Sequence, residues 1–218
     1  MVDALCLYIW AALTSSAVFT YVVPIPFIRS LVLHGKLIGS PKDSALLIPK
    51  SWFNHFYMYG ICALFILCPN TGSFGWLLLL VHLMRRLIEE VWLFPVDETS
   101  RMHVGAYMLG FLFYTLVAFS VAARPSSALL WFLGNCIQHV AHSQLFHNRI
   151  RDPTKRKPPR TFLFRYMNCP HYFGEMLIYV GLASFDRIES VACALFVIIS
   201  LSVNWYNHSC WYSSQAKS

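Results

Sequence analysis

Asn168-Cys169-Pro170-His171-Tyr172-Phe173-Gly174-Glu175, followed by the apolar run Met176 to Phe185, decides how this chain is read. Pro170 fits the first turn of a helix, where its missing N–H costs nothing. His171, Glu175 and Tyr179 then recur every four residues and share one face. The carboxylate of Glu175 therefore lies about one turn inside apolar surroundings, which is expensive without a partner. Just upstream runs a basic loop from Arg149 to Arg165. A cationic loop that feeds a helix N-terminus with a polar face suits an anionic ligand bearing an amide, such as a phosphorylated nicotinamide dinucleotide.

Working outward, the whole chain has the same oily character. It is 57% hydrophobic, 16% aromatic and 12% charged, values that exclude an ordinary soluble domain and predict an all-α, polytopic membrane protein. Apolar runs fall near 4–23, 52–69, 74–94, 104–122, 127–146, 171–185 and 190–208, several of them close to the roughly 20 residues that cross hydrocarbon. About seven spans in one bundle are predicted, or six if 171–185 and 190–208 form a re-entrant hairpin. No cleavable leader is read at the N-terminus: Asp3 precedes the first run and no Lys or Arg does. Residues 1–218 read as a single domain, without repeats or low-complexity linkers.

Basic residues set the orientation. Arg29, Lys36, Lys42, Lys50, Arg101, Arg149, Arg151, Lys155, Arg156, Lys157, Arg160 and Arg165 follow the odd-numbered runs, whereas the opposite loops hold only Arg124 and Arg187. The N-terminus is then lumenal and the C-terminus cytosolic, which leaves the sequon at Asn207 unmodified. The basic loop also admits a plainer account, topology plus attraction to anionic lipid. Leu31–Ile38 is too short to span and reads as interfacial, and Pro153, Pro158 and Pro159 make the second long loop irregular. The seven cysteines carry no CxxC pair and read as reduced core residues.

Polar residues inside the runs mark candidate sites. The third run carries His82, Arg85, Arg86, Glu89 and Glu90. Arg85–Glu89 and Arg86–Glu90 can pair at i,i+4, either as a polar wall inside a bundle or as charges snorkelling to an interface. The fifth run carries Asn135, Gln138, His139 and His142 on one stripe. Two histidines at i,i+3 do not make a metal site, so no metal is expected, and nothing suggests nucleic acid. There is no GxGxxG after a strand, so any dinucleotide must sit among helices.

The segment Pro159 to Glu175, PRTFLFRYMNCPHYFGE, resembles the C-terminal signature of the steroid 5α-reductase family. Ile48 to Tyr57 and Val81 to Glu89 resemble its polyprenol reductase branch, which works in dolichol synthesis. With Asn135 and Asn207–Tyr212, the resemblance covers most of 48–212. It implies an endoplasmic reticulum membrane enzyme that takes NADPH and a long-chain isoprenoid lipid, and reduces the α-isoprene double bond of polyprenol or polyprenal for protein N-glycosylation. It implies cofactor contacts from Asn135, Glu175, His208 and Tyr212; His139 on the polar stripe, Arg165 in the basic loop, and His171 and Tyr179 on the Glu175 face are the further cofactor candidates. His82, His55 and Tyr57 are the candidates for the electrophilic, catalytic partner, because the tyrosine position of steroid-reducing members is Leu83 here and their glutamate position falls near Lys50. Family members continue beyond Ser218 in a tail that closes the cofactor site, so an inactive short form is one alternative. A 3-oxo-5α-steroid 4-dehydrogenase and a membrane S-adenosylmethionine methyltransferase are others; the His-x-Met-Arg-Arg of the third run favours the reductase over the methyltransferase.

Overall fold

A computed structural model of the chain describes residues 2–22, 46–94, 100–151 and 162–215. Among the described residues the protein is all-α apart from one two-stranded ribbon. The helices are α1 (Val2–Val22), α2 (Phe53–Leu67), α3 (Phe74–Ile88), α4 (Val104–Ser120), α5 (Ala128–Arg151), α6 (Pro170–Leu182) and α7 (Ile188–Gln215). Their order follows the seven apolar runs. Leu31–Ile38 and the loop residues Pro153, Lys155, Arg156, Lys157, Pro158, Pro159 and Arg160 lie outside the described residues.

Two helices are long and apolar enough to cross a membrane by length and composition, through Asp3–Thr20 and Ile188–Cys210. The others are shorter or more polar. At 1.5 Å per residue, the 15-residue α2 and α3 each rise about 22 Å, short of the roughly 30 Å hydrocarbon thickness. α5 runs for 24 residues, but its polar stripe lowers its hydropathy.

Local chemistry sets several boundaries. Ser73 caps α3, its Oγ accepting from the Trp76 N–H at 3.3 Å, and His103 caps α4, its Nδ1 accepting from the Gly105 N–H at 3.0 Å. Pro170 opens α6 at its first turn, as the sequence requires. Two features were not legible in the runs. One is the antiparallel ribbon of β1 (Leu47–Pro49) and β2 (Arg101–His103), which pairs Ile48 with Met102 and ties the approach to α2 to the approach to α4. The other is a wide π-turn, Glu89–Leu93, that extends α3.

Among apolar surroundings helices gain little from burial alone, so close packing and polar contacts do more of the work. α5 and α6 make the tightest seam. A Cβ at Gly134 would lie 2.6 Å from the Gly174 carbonyl oxygen, and one at Gly174 would lie 2.8 Å from the Gly134 oxygen. Only hydrogen fits at either position. α1 is fixed by Trp10, fully enclosed, whose Nε1–H donates to Ser120 Oγ on α4 at 2.9 Å while its ring packs on Phe113 and Phe196. Arg187 joins the same end, donating to the Phe119 carbonyl at 3.2 Å and to Asp3 at 3.3 Å. Leu64, Leu79, Leu83 and Ile178 fill the centre between α2, α3 and α6.

Candidate functional site

The Gly134–Gly174 seam brings the polar stripe of α5 against Glu175 on α6. There Gln138 Nε2 donates to Glu175 Oε2. α3 reaches the same place with long side chains rather than by close packing. Arg85 donates through Nε to Asn135 Oδ1 at 2.9 Å, and through its terminal nitrogens to Gln138 Oε1 and Glu89 Oε1. Three helices thus meet at one cluster of Arg85, Asn135, Gln138 and Glu175.

Glu89, 1% exposed, is a second hub one turn further along, also facing α5. Its two oxygens accept from Arg85 and from Arg86, the latter at 2.6 Å, and face His139 Nδ1 at 2.7 Å and His142 Nδ1 at 3.2 Å. Arg86 also contacts Glu90 at 3.6 Å, and its Nη2 donates to the Tyr57 hydroxyl on α2 at 2.9 Å. The arginines therefore have several acceptors each, which is what lets charge persist in an apolar bundle.

His82 is wholly enclosed. The amide of Asn135 is oriented twice over: its Nδ2 donates to the Trp131 carbonyl at 2.8 Å and its Oδ1 accepts from Arg85. His82 Nδ1 lies 3.1 Å from that Oδ1 and 3.4 Å from Arg85 Nη2, between an acceptor and a donor. The other nitrogen, Nε2, has no hydrogen-bond partner and lies 3.7 Å from Glu175 Oε1. Among the described residues Glu175 Oε1 accepts no hydrogen bond, so the N–H of an incoming primary amide can donate to it.

A file of rings runs on from this cluster. His142 is 5.8 Å from His171, His171 is 4.3 Å from Tyr172, Tyr172 is 5.8 Å from His208, and His208 is 6.4 Å from Tyr212, all between ring centroids. Asn168 bonds Ser209 beside it at 3.2 Å. Arg165 is exposed on the short turn Phe162–Arg165, whose Phe164 ring is 6.4 Å from His171. Tyr179, one turn beyond Glu175, is buried 6.3 Å from the His82 ring, and its hydroxyl has no hydrogen-bond partner.

Of the residues singled out in the sequence, Asn135, His139, Glu175, His82 and Tyr57 share one connected network, with Tyr179 against it. His171, His208 and Tyr212 occupy the ring file, and Arg165 lies at its edge. His55 is elsewhere, its Nδ1 2.9 Å from the Tyr107 hydroxyl. Arg85, Arg86, Glu89, Gln138 and His142 were visible as polar residues but not ranked as site residues. Tyr114, 6.1 Å from Tyr57, gave no signal, since one tyrosine among apolar residues is ordinary.

The described residues form a helical bundle in which a half-buried carboxylate, Glu175, joins a polar network with a file of rings beside it. Residues 125–218 match the family profile described as 3-oxo-5-alpha-steroid 4-dehydrogenase. The chain is 24% identical to the polyprenal reductase of Caenorhabditis elegans, over 93% of this chain and 87% of that protein. It is 27% identical to the polyprenal reductase of Saccharomyces cerevisiae, over 74% of this chain and 68% of that protein. It is 22% identical to polyprenal reductase 1 of Arabidopsis thaliana, over 71% and 72%. The chain is thus similar to the steroid 5α-reductase family in its C-terminal part and to polyprenal reductases over most of its length.

Proposed function

We propose that residues 1–218 form a single membrane-embedded reductase domain that uses NADPH to saturate the α-isoprene double bond of polyprenal, a step in dolichol synthesis for protein N-glycosylation. The similarity to polyprenal reductases supports the substrate class. The observation that carries the reading is Glu175 Oε1, without a hydrogen bond beside the enclosed His82 and suited to accept from the nicotinamide carboxamide.

Bound there, NADPH supplies a hydride. Asn135 and Gln138 hold His82 and Glu175 in place for the carboxamide. His139, His171, His208 and Tyr212, with Arg165 at the edge, line the path for the rest of the cofactor. Tyr179 closes the inner end. Hydride adds to an alkene only if the alkene is polarised; the isolated double bond of an allylic alcohol is not, and that of an α,β-unsaturated aldehyde is. The aldehyde is therefore the immediate substrate, and the chain's part is to orient it, exclude water and stabilise charge on its oxygen. The protein resides in the endoplasmic reticulum membrane as a seven-span bundle, N-terminus lumenal and C-terminus cytosolic, with its basic residues facing the cofactor's compartment.

The test uses the purified protein in lipid nanodiscs, with NADPH and either polyprenal or polyprenol. Oxidation of NADPH with the aldehyde and not the alcohol is expected. Equal turnover of the alcohol, with no aldehyde formed, would refute the substrate assignment. Failure of NADPH to bind would refute the site.

A further inference from the structure

We propose that the Tyr57 hydroxyl, held by the Arg86 guanidinium, is the group that hydrogen-bonds the substrate's aldehyde oxygen and protonates it as hydride arrives. This rests on the reading of the chain as a polyprenal reductase and assigns the one role that reading leaves open.

The reaction needs an O–H or N–H donor near the nicotinamide end, with a fixed positive charge to stabilise the base left behind. His82 has Nδ1 against Asn135 and Arg85, and its other nitrogen faces the Glu175 carboxylate. His55 is paired with Tyr107, apart from the network. Tyr179 has no hydrogen-bond partner for its hydroxyl, and so no guanidinium on its oxygen.

Tyr57 offers the donor and the fixed charge, on the network that reaches Glu175 through Arg86, Glu89, Arg85 and Gln138. It is 6% exposed. Its oxygen accepts from Arg86 Nη2 at 2.9 Å, and the Arg86 Cζ lies 5.1 Å from its ring centroid. Among the described residues its own O–H has no acceptor. Arg86 is in turn fixed by Glu89 at 2.6 Å and Glu90 at 3.6 Å, so it stays in place when the tyrosine oxygen becomes an anion. Successive arginines of α3 thus turn to different neighbours. Arg85 holds the Asn135–Gln138 wall, where the carboxamide fits, and Arg86 holds Tyr57 on α2.

The step balances with one hydride and one proton. Hydride forms the new C–H bond at the β-carbon. The C=C electron pair moves to give an enolate, whose oxygen takes the Tyr57 proton and becomes an enol. The α-carbon then takes a proton from water, the enol O–H proton returns to Tyr57, and the saturated aldehyde leaves. Arg86 neutralises the phenolate in between.

Tyr57→Phe is compared with wild type and with Tyr59→Phe, whose lost hydroxyl contacts Thr115 on the other face of α2. NADPH affinity is read by fluorescence, and hydride transfer by single-turnover oxidation with polyprenal. Tyr57→Phe is expected to bind NADPH like wild type and to transfer hydride at least about 100-fold more slowly, the loss typical of one donor on a developing oxyanion. Tyr59→Phe is expected to keep the rate. A second measurement needs no variant: wild-type hydride transfer is expected to slow in D2O. A Tyr57→Phe protein with the wild-type rate, or a wild-type rate that ignores D2O, overturns the assignment. A wild-type protein that neither binds nor oxidises NADPH overturns the reading beneath it instead.

Discussion

Gly174→Ala tests the link between packing and site. The new Cβ would meet the Gln138 nitrogen and the Gly134 oxygen at 2.8 Å and the Gln138 Cβ at 3.0 Å. Those atoms belong to backbone or its first carbon, so none can rotate away. Ordinary contact starts at 3.4 Å, so α5 and α6 must part by about 0.6 Å. Overpacking of this kind costs roughly 1–3 kcal/mol, and the better helix propensity of alanine returns about 1 kcal/mol. The net expectation is a loss of up to about 2 kcal/mol, or a fall in melting temperature of up to roughly 8 °C for a chain of this size. The same displacement draws Gln138 away from Glu175, and since a 1 Å misplacement can cost about 100-fold, NADPH-dependent turnover is expected to fall on the order of 10-fold. Tryptophan-fluorescence melting in nanodiscs and NADPH oxidation with polyprenal read the two effects. An unchanged or higher melting temperature, with wild-type turnover, would mean that the helices are not seated on those two glycines.

Glu89→Gln is expected to be among the most damaging single changes. It leaves two buried guanidiniums short of an acceptor, at a cost of about 3–5 kcal/mol, measurable as loss of the folded fraction in denaturant titration. Trp10→Phe keeps the ring packing and deletes the indole N–H on Ser120; a loss of about 1–2 kcal/mol in thermal melting is expected, with turnover unchanged because the lost bond is to Ser120 and not to the Glu175 cluster.

Much of the fold was open to reading because hydropathy and helix-start chemistry act locally. Pro170 opens α6 where the first-turn rule puts it, and the seven apolar runs become seven helices in order. The ribbon Leu47–Pro49 with Arg101–His103 was not open to reading, because two three-residue strands acquire their pairing only when distant segments meet. Glu89 shows a similar limit. In the sequence its charge is equally a snorkelling surface group, and only the arrival of His139 and His142 from α5 distinguishes a hub from a rim. The stripe Asn135, Gln138, His139 and His142 was plain from helical spacing, whereas the role of Gln138 depended on Gly134, a residue that carries no chemistry of its own.

The bond from Gln138 to Glu175 bears on how tightly any ligand can be held. With Oε2 already engaged, the carboxylate is fixed in orientation before any newcomer arrives, and only Oε1 is left to bond it. The ordering of that side chain is thus met at folding and not at binding, which lowers the entropy lost when a ligand is taken up.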